Sequence, residues 1–273
     1  METGNSTMIE PRLRKQKNIT EHFDGLAQVY DNYRTFDSEP VYHIARIVGR
    51  DELTLCDFGC GTGRYLLPLM KVLDEFKTAV KRAKGIDINP NMLEVAKLQI
   101  EGFDIPVEWV LAPSYETGLK SNSVTVATAF NSFHHFPVED TVEEIKRVLE
   151  PNGYFAIYSR TKDQEAEHIW GKHFPHYLEY SQVLDREVLG ALAKYGGFEL
   201  VQEKDFSFKR HVPFTRVYEQ TKNKHYSTLH LYDVDDFERS LDGFVENIKA
   251  AYDDLDNIAY ESSYTLFLYK KES

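Results

Sequence analysis

The sequence predicts an α/β fold: a mostly parallel sheet with helices on both faces, an antiparallel edge and a helical cap. Three observations predict it. From about residue 51 to residue 160, short apolar runs alternate with amphipathic helical segments, as parallel strands joined by helical crossovers do. The first apolar run ends in a cluster of glycines. After Arg160 the rhythm breaks, and two late strand-like segments flank a long helical stretch.

Taken in order, residues 1–17 are polar and aperiodic and read as a loose tail. Residues 18–50 carry two helices. In the first, Phe23, Leu26, Ala27, Tyr30 and Tyr33 recur at helical spacing after a Thr20 cap, and in the second Val41, Ile44, Ala45 and Val48 share a face. Within 51–160, Leu53–Phe58 is a strand, and Tyr65, Leu66, Leu69, Val72 and Leu73 mark a helix. Ala83–Ile88 is a second strand, and Pro90 suits the first position of the helix carrying Met92, Leu93 and Ala96. Val107–Leu111, Val124–Phe130 and Tyr154–Tyr158 are further strands. A helix with Val142, Ile145 and Val148 precedes the last, and Pro151-Asn152-Gly153 turns the chain between them. Over 161–273 the sheet is completed around an inserted cap: residues 162–195 look helical, Phe198–Phe208 is a long strand, 214–252 is mostly helical and Tyr264–Tyr269 is a terminal strand.

Composition narrows the function. Hydrophobic residues make up 42% of the 273, enough for a substantial core, and 17 Tyr and 17 Phe suit either aromatic-walled cavities or a Phe-rich core. With 44 acidic against 32 basic side chains the net charge is −12, which disfavours a nucleic-acid substrate. The basic residues Lys204, Lys209, Arg210, Arg216, Lys222 and Lys224 fall close together and read first as a solvated face. Cys56 and Cys60 fit neither a disulfide framework nor a zinc site, so no metal is expected. No run of about 18 apolar residues occurs, so no membrane partner is expected and the chain reads as cytoplasmic.

The most informative stretch is Asp57-Phe58-Gly59-Cys60-Gly61-Thr62-Gly63-Arg64-Tyr65, between the first strand and its helix. Glycines there let the backbone turn tightly and approach a ligand, and the following helix aims free N–H groups at it. Asp87, at the end of the second strand, can accept from both hydroxyls of a ribose, the logic of dinucleotide-binding folds, or could merely cap the helix at Pro90. Glycines at 59, 61 and 63 depart from G-x-G-x-x-G, which leaves room for a pyrophosphate. Asp57, just before the loop, would repel a phosphate and suits a cationic amino group. S-adenosylmethionine (SAM) has an ammonium and no phosphate.

These segments resemble the class I SAM-dependent methyltransferases, especially the type 11 domain found in quinone biosynthesis. D-F-G-C-G-T-G-R matches their first motif and G-I-D-I-N-P-N-M-L their second. Ser123–Val126 with Phe133–Phe136 matches the fourth-strand region, and Glu144–Gly153 the helix and turn before the fifth. The resemblance covers roughly residues 20–160. It implies a Rossmann-like sheet of seven strands with the last inserted antiparallel, and SAM across the carboxyl ends of the first strands, leaving S-adenosylhomocysteine (SAH) as product.

By position, the resemblance assigns Asp57, Gly59, Cys60, Gly61 and Gly63 to the methionine end, Asp87 to the ribose, Ile88 and Met92 to the adenine, and Asn131 to the sulfonium side. Where the family often has an acid to receive the adenine amino group, this chain has Pro113, so adenine recognition falls to the Ser114 side chain, nearby backbone groups or water, with Tyr115 also among the cofactor-binding candidates. The segment Tyr30-Asp31-Asn32-Tyr33-Arg34 matches helices that fold over SAM as a lid, with Tyr30 and Arg34 near its carboxylate and Tyr33 toward the acceptor. His134 and His135 directly follow the fourth strand, and an imidazole titrating near neutral pH can accept an acceptor's proton. Arg160, Trp170, His173 and Tyr226 are candidates for the acceptor pocket, and Arg210 and Arg216 for an acceptor carboxylate.

The expected activity is methyl transfer to an O, N or C centre of a small metabolite. The alternative is a SAM-fold protein that binds SAM or SAH for a regulatory or non-methyl reaction. After the fourth strand the chain reads Asn131-Ser132-Phe133-His134, not N/D-P-P-Y, which disfavours adenine- or glutamine-modifying classes.

Overall fold

A computed structural model describes residues 34–100 and 105–273. The helix expected from Ile19 to Tyr33, with Tyr30 and Tyr33, lies outside them.

Apolar alternation sends successive strand residues to opposite faces, and it builds a seven-stranded sheet in the order β3-β2-β1-β4-β5-β7-β6. Its strands are β1 Glu52–Phe58, β2 Ala79–Asp87, β3 Val107–Leu111, β4 Val124–Phe130, β5 Leu149–Ser159, β6 Phe198–Val212 and β7 Ile258–Lys271. The first five pair in parallel, whereas β7 runs antiparallel to both β5 and β6 and is inserted between them. The seven strands and the antiparallel insertion are as the sequence led us to expect. Leu53 and Leu55 of β1 pack on one face with α1 (Glu39–Val48) and α2 (Leu66–Glu75). Cys56 and Phe58 pack on the other, in a cluster with Val142 and Ile145 of α4 (Val138–Val148) and Leu189 and Leu192 of α8 (Arg186–Gly196).

Between β2 and β3 lies α3 (Pro90–Gln99). Its cap is the Asn89 side chain, which accepts from the Met92 N–H at 3.1 Å, so Asp87 is released from that duty. The order of the strands switches direction between β1 and β4, and the carboxyl ends of these parallel strands open the crevice that α/β sheets use for ligands.

The last two strands are longer than the sequence reading of them. β6 runs four residues past Phe208, to Val212, and β7 begins at Ile258 rather than Tyr264. Their extensions carry the cap. The stretch 162–195 is likewise no single helix but α5 (Lys162–Glu167), α6 (Ile169–His173), α7 (Tyr177–Tyr180) and α8, broken by extended backbone at His168 and by a left-handed His176 after Pro175. With α9 (Phe214–Lys222) and α10 (Val234–Ala251), α6 and α7 enclose a separate aromatic cluster around Trp170, Phe174 and Phe244, anchored to the sheet by Ile258. Among the described residues no helix is long and apolar enough to cross a membrane.

Candidate active site

Gly59, Gly61 and Gly63 all adopt left-handed backbone, with φ of 68°, 54° and 79°. Their surroundings differ. A Cβ on Gly59 would lie 2.6 Å from the Ser132 Cβ, so this glycine lets the loop pass under the chain leaving β4. One on Gly61 would meet nothing within 4 Å and would project into open space. One on Gly63 would press on Trp109 of β3 at 3.0 Å, and Gly63 does not line the crevice: its role is packing.

Above this loop is a crevice enclosing about 980 Å³ of free space, counting its open mouth, a size suited to a nucleoside-bearing cofactor. Asp57 lies at its floor, 1% exposed. Thr128 of β4 donates to the Asp57 carboxylate at 2.7 Å, but burial dominates and its pKa is pushed up to about 8. Asp87 accepts from the Gly61 N–H at 2.8 Å and the Asn89 N–H at 2.9 Å. Burial raises its pKa, against the pull of the Asn89, Gly61 and Ile88 amides. A carboxylate has about four lone-pair sites, more than these amides fill, so Asp87 can still accept from hydroxyl donors. Ile88, Met92, Pro113, Ser114 and Tyr115 form the far wall. The Ser114 hydroxyl bonds Thr141 at 2.8 Å, which ties it to α4. Tyr65 and Phe130 stack at 4.5 Å between ring centres and form the wall on the other side.

Deeper toward the cap is a second cavity of about 850 Å³, counted in the same way. Arg64, Asn131 and His135 line both spaces, so the two adjoin there. Asn131 has φ 54°, a conformation asparagine tolerates, and its N–H donates to the Tyr158 carbonyl at 2.7 Å. His134 lines only the inner cavity, with its ring 4.0 Å from that of His135. Arg160, at the end of β5, is 4% exposed and binds Glu165 at 3.0 Å, Tyr264 at 3.1 Å and Ser262 at 3.2 Å. Trp170 and Tyr226 also line this cavity, and the Trp170 indole donates to Thr221 at 2.8 Å.

Several expectations on individual residues change. Arg34 lines the inner cavity rather than the crevice, donating to the His225 carbonyl at 3.0 Å with its guanidinium over Tyr226. His173 borders neither space and packs its ring on Tyr252, because it is the last residue of α6. Arg210 is no solvated cation: it is paired with the buried Asp37 at 2.7 Å. Thr128, Arg64 and Glu165 were missed as site residues. Only Arg64 carried a signal, its place at the end of the glycine motif.

The crevice combines a glycine floor, a buried acid at one end and a second acid at the end of β2. Residues 56–157 match the family model described as "Methyltransferase domain", and the fold is that of the class I SAM-dependent methyltransferases. The chain is 22% identical over 230 residues to a ubiquinone/menaquinone biosynthesis C-methyltransferase of Campylobacter jejuni, covering 72% of this chain and 95% of the relative. Among solved structures it resembles the Haloferax volcanii methyltransferase in complex with its Trm112 activator. There the TM-score is 0.62 and the identity 16%, over 93% of this chain and 97% of that one. An N-methyltransferase of Haemonchus contortus in complex with phosphomonomethylethanolamine and SAH gives a TM-score of 0.54 and 16% identity, over 93% of this chain and 60% of that one.

The residues present fit a SAM-type cofactor. A carboxylate that burial pushes to about 8 in pKa is one that an ammonium would stabilise, and Gly61 leaves open the space a Cβ would occupy.

Proposed function

We propose that this enzyme transfers a methyl group from SAM to an O, N or C centre of a small metabolite lodged in the inner cavity. The observation that carries the reading is the junction at Arg64, Asn131 and His135, where the crevice adjoins a second cavity. Bound SAM would supply a methyl carbon already activated by positive sulfur. The chain's own contribution is then chiefly placement.

In this reading Asp57 holds the amino group and Asp87 the ribose, while Ile88, Met92, Ser114 and Tyr115 border the adenine. Asn131 borders the reacting end. His135, lining both spaces, accepts the proton of a hydroxyl or ammonium acceptor, and His134 stands beside it. Arg160, Trp170 and Tyr226 shape the acceptor pocket from the cap side.

The test is incubation of the purified protein with methyl-labelled SAM and a small-metabolite extract. A labelled small product is expected. Tight SAH binding with no labelled product from any extract would overturn the reading.

A further inference from the structure

We propose that Tyr264 holds the methyl acceptor by donating its hydroxyl proton to a carbonyl oxygen, so that the inner cavity selects a carbonyl compound. This rests on the methyl-transfer reading above and names the acceptor's class. A guanidinium can only donate, whereas a hydroxyl has one proton to give and two lone pairs to fill. Arg160 Nη2 donates to the Ser262 hydroxyl at 3.2 Å and to the Tyr264 hydroxyl at 3.1 Å. Ser262, 3% exposed, passes its own proton to the Tyr264 oxygen at 3.4 Å. Both lone pairs of that oxygen are engaged, and its proton has no acceptor among the described residues. Tyr264 lines the inner cavity, so the proton is offered to whatever the cavity holds.

The ring is held in place. It stacks on Tyr158 with ring centres 5.1 Å apart, and the Arg160 guanidinium carbon stands 4.8 Å from its own centre. Arg160 is fixed in turn, its Nη1 donating to Glu165 at 3.0 Å and its Nε to the Ser263 carbonyl at 3.4 Å. A hydroxyl that accepts from a charged group is polarised into a better donor. Glu165, buried beside Arg160, matches its charge within the protein. What this wall presents to a ligand is therefore a neutral, directed O–H. A carbonyl oxygen answers it, having lone pairs and no proton of its own to place. Trp170 and Tyr226 give the same cavity flat aromatic faces.

The probes are acetophenone and isopropenylbenzene, which share a shape and differ only in carrying C=O or C=CH2. Each is titrated by ligand-observed NMR, with and without saturating SAH, into the parent protein and into Tyr264→Phe, which removes the hydroxyl alone. The parent should prefer acetophenone. The variant should lose about tenfold of that preference, the worth of one hydrogen bond, while its SAH Kd stays within about twofold. A side chain that only supported the fold would change both probes alike. Should Tyr264→Phe not fold, Ser262→Ala keeps the hydroxyl but releases one of its lone pairs, and should reduce the preference by a smaller factor. No preference in the parent, or a preference unchanged in the variant that folds, overturns the proposal. In the labelled-SAM experiment, a product with no carbonyl group would also overturn it and leave methyl transfer standing. No labelled product at all would remove the methyl-transfer reading, and the probe preference would still decide the role of Tyr264.

Discussion

Asp57 is a carboxylate with one hydroxyl donor and almost no water, and this has two consequences of opposite direction. In the unliganded protein its pKa is about 8 against 3.8 for an ordinary aspartate, so the folded state holds the proton more tightly than the unfolded chain. That contribution to stability is complete below pH 4 and is lost as pH rises through about 8, a change of up to a few kcal/mol. Asp57→Asn, which keeps the Thr128 bond, should therefore stabilise the unliganded protein more at pH 8 than at pH 5, as urea titrations at the two values would show. A bound ammonium reverses the preference and ionises Asp57. At pH 6.5 SAH binding should release close to one proton, seen as a binding enthalpy that varies with the buffer's heat of ionisation. A buffer-independent enthalpy would remove the amino group from Asp57.

The two ends of the loop separate by the same kind of reasoning. Asp87→Ala deletes two hydroxyl bonds to a charged acceptor, worth about 1.5–3 kcal/mol each, so the SAH Kd should rise at least about 100-fold by calorimetry. An unchanged Kd would reject the ribose role. Gly59→Ala and Gly61→Ala both place a side chain in left-handed backbone, at about 1–2 kcal/mol. Only the first also collides with Ser132 and Phe136. Gly59→Ala should lose the more stability, whereas Gly61→Ala should melt nearer to the parent protein and lose cofactor affinity, because its Cβ points into open space.

At the scale of elements, the cap is fastened to the sheet where β5 gives way to α5. Arg160 closes the strand, Glu165 lies in the helix, and their ion pair is buried at both ends. Removing one partner of such a pair strands the other charge, at about 3–5 kcal/mol, while removing both costs far less. Arg160→Met and Glu165→Met should each destabilise strongly, and the double variant should recover much of the loss in urea titrations; additive losses would exclude a charge-pair origin. This junction also shows what could be read from the sequence. β3 and β4 were legible to the residue, because a proline stands close to each end of β3 and polar residues bound the apolar run of β4. The far half of β6 was not: Lys209, Arg210 and His211 look like a solvated end, and only the fold shows Arg210 turned inward to Asp37. The glycine loop and Asp87 were legible because one βαβ unit brings them together. The inner cavity was not, because its lining comes from positions spread between residues 34 and 264 that meet only in the folded chain.

At the scale of the whole molecule, the division of the core implies a division of labour. Two clusters, one on each face of the sheet, fix the crevice, whereas the third lies in the cap and reaches the sheet through the extensions of β6 and β7. Trp170 lies in the third cluster, 1% exposed, and lines the inner cavity but not the crevice. Trp170→Ala should cost about 3–5 kcal/mol of local packing plus the bond to Thr221. If the cap is a separable layer, that loss falls on the inner cavity. Turnover should drop by orders of magnitude while the SAH Kd stays within a few-fold of the parent, because Asp57, Asp87 and the loop hang from β1 and β2. Hydrogen exchange should show the same boundary, with protection lost in α6, α9 and α10 and kept in β1 and β4. Were SAH affinity to fall in step with turnover, the cap and the crevice would be one cooperative unit, and acceptor binding could not be tuned without disturbing the cofactor.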